Sequence, residues 1–108
     1  MILIKPLSVN EAFRGRKFKT DKYHTFQKEM KKLLPDLEIP EPPFILKIQF
    51  GFSSKGSDLD NVLKQTIDCL SKKYGFNDNQ IYRIEADKHI VKKGNEFINF
   101  KIEHHARE

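Results

Sequence analysis

Asp58 and Asp60 stand two residues apart in Ser57-Asp58-Leu59-Asp60-Asn61-Val62-Leu63-Lys64, and Asp78 follows in Asn77-Asp78-Asn79. Two or three carboxylates brought together can hold Mg²⁺, which takes a few carboxylate oxygens and keeps several waters. Such an ion answers the two difficulties of a phosphodiester: anionic oxygens that repel a nucleophile, and a leaving alkoxide that needs stabilising. Residues two apart share a side in extended chain and point nearly opposite ways in a helix. Convergence of the pair therefore places Asp58 before a helix that Asp60 begins. A plainer use competes, because Ser, Asp and Asn are favoured caps and acids in a first turn suit the helix dipole. Lys64, one turn after Asp60, reads either as a cation for a phosphate or as an i,i+4 ion-pair partner worth roughly 0.2–0.5 kcal/mol. Asp68, a further turn along, reads as surface.

The elements that must position these residues are legible from periodicity. Phe44, Leu46, Ile48, Phe50 and Phe52 alternate with Ile45, Lys47, Gln49 and Gly51, the period of a strand with one apolar face. Ser53 to Ser57 is a turn that delivers the chain to Asp58. A helix from about Asn61 to Lys73 buries Val62, Leu63, Ile67, Leu70 and Tyr74, and Gly75 ends it in a left-handed cap. Upstream, Thr20 or Asp21 caps a helix to about Leu34, with Tyr23, Phe26, Met30, Leu33 and Leu34 on its apolar face and lysines on a solvated one. The four prolines of Pro35 to Pro43 make an extended connector. Ile2 to Lys5 reads as a short strand and Ile81 to Lys92 as a long one. Lys93-Gly94-Asn95 reads as a hairpin connection into a strand over Glu96 to Glu103, and His104 to Glu108 as a frayed tail. The expected class is α+β, in the order β-α-β-α-β-β, with a mixed sheet of about four strands and two helices packed on one face.

A chain of 108 residues suits one domain, here residues 1–108. Its net charge of +5 and pI near 9.3 suggest a polyanionic partner without naming one. The basic residues Arg14, Arg16, Lys17 and Lys19 lie in Pro6 to Thr20, broken by Gly15 and interleaved with Phe13 and Phe18. That segment reads either as a solvated loop or as a contact for DNA phosphates. The single Cys69 excludes an internal disulfide and a multi-cysteine zinc site, and a reduced thiol points to the cytoplasm. No apolar run is long enough for a membrane span, and the opening Met-Ile-Leu-Ile-Lys-Pro is too short for a signal peptide. His24, His89, His104 and His105 lack metal-ligand spacing apart from the terminal pair.

The string Asp58-Leu59-Asp60-Asn61-Val62-Leu63-Lys64, an apolar helix face, and then Gly75-Phe76-Asn77-Asp78-Asn79-Gln80-Ile81 resembles the signature of the RusA family of Holliday junction resolvases. Ser8-Val9-Asn10, followed by the basic loop, is similar to the family's opening. The resemblance implies a small, dimeric, Mg²⁺-dependent endonuclease that cuts four-way DNA junctions, with Mn²⁺ as a substitute ion. It implies Asp58, Asp60 and Asp78 as metal ligands and Lys64 as a catalytic cation. Asn10, Arg14, Arg16, Lys17 and Lys19 would contact DNA. Ser57 stands where the family often has a basic residue before the first aspartate.

A geometric difficulty accompanies that ligand set. A helix from Asn61 to Lys73 is roughly 20 Å long, and the return from Lys73 to Asp78 spans at most about 17 Å. Asp78 can barely reach its own Asp60, whereas a site shared across a two-fold homodimer removes the strain. Two such sites would also give the symmetric nicks that a junction needs. The rival readings are a catalytically silent DNA-binding protein on the same fold, and an interaction module whose acids are all caps.

Overall fold

The computed structural model describes residues 1–15 and 18–106. It is an α+β structure whose elements run α1 (Val9–Ala12), β1 (Phe13–Arg14), β2 (Phe18–Lys19), α2 (Asp21–Leu33), β3 (Phe44–Phe52) and α3 (Asp60–Tyr74). A 3₁₀ turn (Asp78–Gln80), β4 (Ile81–Ile90) and β5 (Phe97–His104) complete it. Among the described residues no helix is long and apolar enough to cross a membrane.

The strand β3 is central because both its edges are paired. β5 runs antiparallel along one side and β4 parallel along the other, giving the order β4-β3-β5. Its alternation is realised: Phe44, Leu46, Ile48 and Phe50 are at most 2% exposed, in one core with Tyr23, Phe26 and Met30 of α2 and Val62, Cys69 and Leu70 of α3. The other face is polar. Lys47 and Lys101 are direct neighbours across the strands, and Glu103 bonds both, at 2.8 and 3.2 Å, which cancels their repulsion.

Three expectations about the sheet need correction. It has three strands, not four, since the expected strand Ile2–Lys5 contributes a single bridge from Ile2 to Ile98. Ile4 N–H turns back to the Ile2 carbonyl at 3.1 Å, and Pro6 has no donor to extend a ladder. Second, Lys93-Gly94-Asn95 is not a hairpin, because β4 and β5 lie on opposite sides of β3. The crossover through α3 makes β4 parallel to β3. The chain then crosses the end of β3, where Val91 N–H donates to the Phe52 carbonyl at 2.8 Å, before returning as β5. Third, the segment Pro6–Thr20 holds a short helix and the two-stranded β1-β2 pair.

Smaller corrections follow from packing. Leu33 is exposed while Leu34 is buried. On α3, Leu63, Ile67 and Tyr74 sit at the margin of the core, and the centre of the buried face includes Gln65 and Thr66, both 0% exposed. Asp68 is not simply surface: it accepts from the Tyr23 hydroxyl at 3.4 Å, linking α2 to α3. Burial, then the Asp68 charge, pushes that phenol up to about 12. The tail is held through His105, whose N–H donates to the Pro43 carbonyl at 2.8 Å; residues 107–108 lie outside the described residues.

Gly51 faces Phe97 across the β3–β5 ladder and His89 across the β3–β4 ladder, and the two rings stand 6.0 Å apart. A methyl group at Gly51 would collide with the Phe97 ring. Gly51→Ala is expected to lower stability by about 1–3 kcal/mol, read as a lower denaturation midpoint with an unchanged m-value.

Candidate active site

The end of β3 releases the chain at Phe52 into a loop that carries Asp58 to the mouth of α3. Asp58 and Asn61 line a cleft of about 300 Å³ with Lys5, Ser8, Glu11 and Glu96. Asp60 is the first residue of α3. The capping explanation for this pair does not hold. The cap residue of α3 is Leu59, in helical conformation, with no side-chain cap bond. Asp78 is likewise spare: the 3₁₀ turn is capped by Asn77, which bonds Asn79 N–H at 3.1 Å, while Gln80 reaches back to Asn77 N–H at 3.0 Å. All three aspartates are exposed, and none enters an ion pair among the described residues.

Lys64 does not pair with Asp60. Its ammonium lies 5.2 Å from the centre of the Phe13 ring, at the root of the β1-β2 pair. That contact sets the basic segment beside the first turn of α3. A second tie does the same: buried Gln65 donates to the Leu7 carbonyl at 2.6 Å and to the Asn61 carbonyl at 2.8 Å. Ser8 caps α1, accepting from Glu11 N–H at 3.3 Å. Burial works to raise the Glu11 carboxyl, but the hydrogen bond and charge of Lys22 outweigh it and hold the group below its ordinary value.

The candidate DNA contacts are exposed where they are described. Asn10 lies on α1, Arg14 on β1, and Lys19 on β2, its ammonium 5.0 Å over the Tyr23 ring. Arg16 and Lys17 lie outside the described residues. Phe18, opposite Arg14 in the pair, is 72% exposed and offers an aromatic face among the cations.

Asp78 is not brought to the other two aspartates within one chain. It opens the turn into β4, whose start pairs with Phe44, whereas Asp58 follows Phe52 at the far end of β3. Nine residues of strand separate those ends, about 27 Å at 3.3 Å per residue. Among the described residues, no three His, Cys, Asp or Glu side chains are placed to hold one metal ion together.

Sequence reasoning missed Gln65, Glu11, Glu96 and Lys5. Gln65 sits on the stripe that periodicity assigned to the core, where a polar residue is a usable signal; the other three come to the cleft from distant segments and carry none.

A search of curated proteins finds no match. A family model described as endodeoxyribonuclease RusA matches residues 5–101, from the segment tied down by Gln65 to the middle of β5. With nearly the whole chain matched, this protein belongs to the RusA endodeoxyribonuclease family.

Proposed function

We propose that the protein is a homodimeric, Mg²⁺-dependent endodeoxyribonuclease that resolves four-way DNA junctions by paired, symmetric nicks. The observation that carries this reading is the placement of Asp58 and Asp60. Neither carboxylate serves the fold, and both stand beside Lys64 and the basic β1-β2 pair. The donor set is all oxygen, exposed and without nitrogen or sulfur ligands, which suits a hard ion such as Mg²⁺, or Mn²⁺ in its place. Asp58 and Asp60 of one copy, with Asp78 of a second, would hold it. When bound, the ion supplies charge neutralisation at the scissile phosphate and activates water.

The chain's own residues do the rest. Lys64 offers its ammonium to a phosphate oxygen and to the charge that develops as the bond breaks. Asn10, Arg14, Arg16, Lys17 and Lys19 track the backbone of the arms, giving an affinity that falls with salt. Such contacts orient the substrate and read branch shape more than base sequence. A two-fold pair of sites places one nick in each of two strands of like polarity.

The test is cleavage of a synthetic four-way junction in Mg²⁺ beside a linear duplex of matching sequence. Wild type is expected to make two symmetric nicks in the junction and to spare the duplex. Asp60→Asn is expected to bind the junction without cutting it. Cutting that persists in Asp60→Asn, or that treats both DNAs alike, would overturn the reading. A wild type that binds the junction and never nicks it would favour a catalytically silent binding protein on this fold.

A further inference from the structure

The two edges of the sheet are not alike. The outer side of β5 is partly covered by the Ile2 bridge. The outer side of β4 has no partner strand among the described residues, and eight of its ten residues are exposed. A long free edge is a template for another strand, and soluble proteins blunt or pair such edges. This one also carries Ile84 and Ile90, 44% and 47% exposed, on the face that β3 buries.

Resting on the shared-site reading above, we propose that β4 is the surface by which two copies pair, antiparallel, with Ile84 on the two-fold axis. Facing residues in an antiparallel pair point to the same side, so a two-fold pairing joins residues whose numbers sum to an even value. Charge then selects among the registers. Centring on Arg83, Glu85 or Asp87 sets a like charge against itself, and centring on Ala86 sets Glu85 against Asp87. Centring on Ile84 sets Arg83 against Glu85 twice, on the open face, with Ile84 against Ile84 on the other. Arg83 and Glu85 are both exposed and already lie 3.3 Å apart within the chain, so the pairing closes a four-charge ring.

This register also bears on the divided site. Antiparallel pairing about Ile84 carries the turn holding Asp78 of a second copy to the Ile90 end of β4. Ile90 pairs with Phe52, from which the loop to Asp58 departs. Two strand spacings, about 10 Å, then separate that turn from the end of β3.

Two measurements test the surface independently of activity, on the full chain. Ile84→Cys is expected to form a covalent dimer under mild oxidation, because directly opposed strand residues lie within disulfide range. Wild type is expected not to, since its one thiol, Cys69, is buried. Arg83→Glu and Glu85→Arg are each expected to weaken the dimer about tenfold, as two attractions become repulsions, and the double exchange to restore it. A dimer by light scattering that neither cross-links through Ile84→Cys nor responds to the charge exchanges would sink this surface and leave a shared site standing. A chain that stays monomeric at the concentrations where it cuts junctions would sink both.

Discussion

Mixing Asp60→Asn protein with Asp78→Asn protein is expected to restore junction nicking that neither variant shows alone. Each substitution removes an anionic metal ligand and leaves an amide of the same shape, so each homodimer carries two defective sites. A loss of about 10³-fold is the scale expected when several kcal/mol of charge stabilisation disappear from the transition state. In a mixed dimer, one site draws Asp58 and Asp60 from the Asp78→Asn chain and Asp78 from the Asp60→Asn chain. All three carboxylates are native there, and the second site carries both lesions. Free exchange of subunits makes half the dimers mixed, so about a quarter of wild-type sites return.

The form of the product is as informative as its amount. A dimer with one working site cuts one strand, so a cruciform plasmid should be converted to nicked circles and not to the linear product of paired cuts. Asp60→Asn mixed with Lys64→Ala supplies the control. Both residues stand on the first turns of one α3, so no mixed dimer reunites them and no activity should return. Restoration in that control, or none in the first mixture despite demonstrated subunit exchange, would place the three aspartates in a single chain.

The span of β3 that separates Asp78 from Asp58 was partly legible before any coordinates. The length of α3 against the reach of the chain behind it already showed that one copy could hardly close the site. The bounds of β3 and the end of α3 at Gly75 were legible too, because strict alternation and a left-handed glycine, with φ of 70°, are local signals. What misled was adjacency. Two strands joined by a Lys-Gly-Asn turn look like a hairpin, and only the parallel pairing of β4 with β3 shows that the turn crosses a third strand. The unpaired state of the acids was illegible for a related reason. Ser57 and Asp58 have the residue types of a cap, but Leu59 takes the cap position, which leaves Asp58 to the cleft. Asp68 was misread because its partner, Tyr23, lies 45 residues away on α2.

Gln65 was the least legible of the residues that matter, and Gln65→Glu is expected to be the most damaging conservative change in the chain. Its side chain is 0% exposed, and its amide nitrogen is the donor that ties the Leu7 carbonyl to α3. The oxygen of the same amide has no partner among the described residues. An ionised carboxylate there would present an unpaired charge to two backbone carbonyls in a dry interior, at a cost of about 3 kcal/mol or more. That is a large fraction of the roughly 5–15 kcal/mol that holds a domain of this kind together. The sign with pH follows from protonation. Burial raises the folded-state pKa of the new carboxyl above its unfolded value of about 4.3, so the folded state binds the proton more tightly. The protonated acid can donate to Leu7 as the amide did, and the deficit should therefore be small below about pH 4. It should grow as pH rises through the unfolded pKa and level off above the folded one. Denaturation midpoints of Gln65→Glu and wild type, compared from pH 4 to 8, check this directly, with Gln65→Met as the uncharged reference. A deficit that does not change with pH would show that shape, and not charge, sets the requirement at this position. Because the lost bond anchors Leu7 beside Ser8 and the basic segment, Gln65→Met should also bind junction DNA more weakly while its Asp58 and Asp60 remain in place.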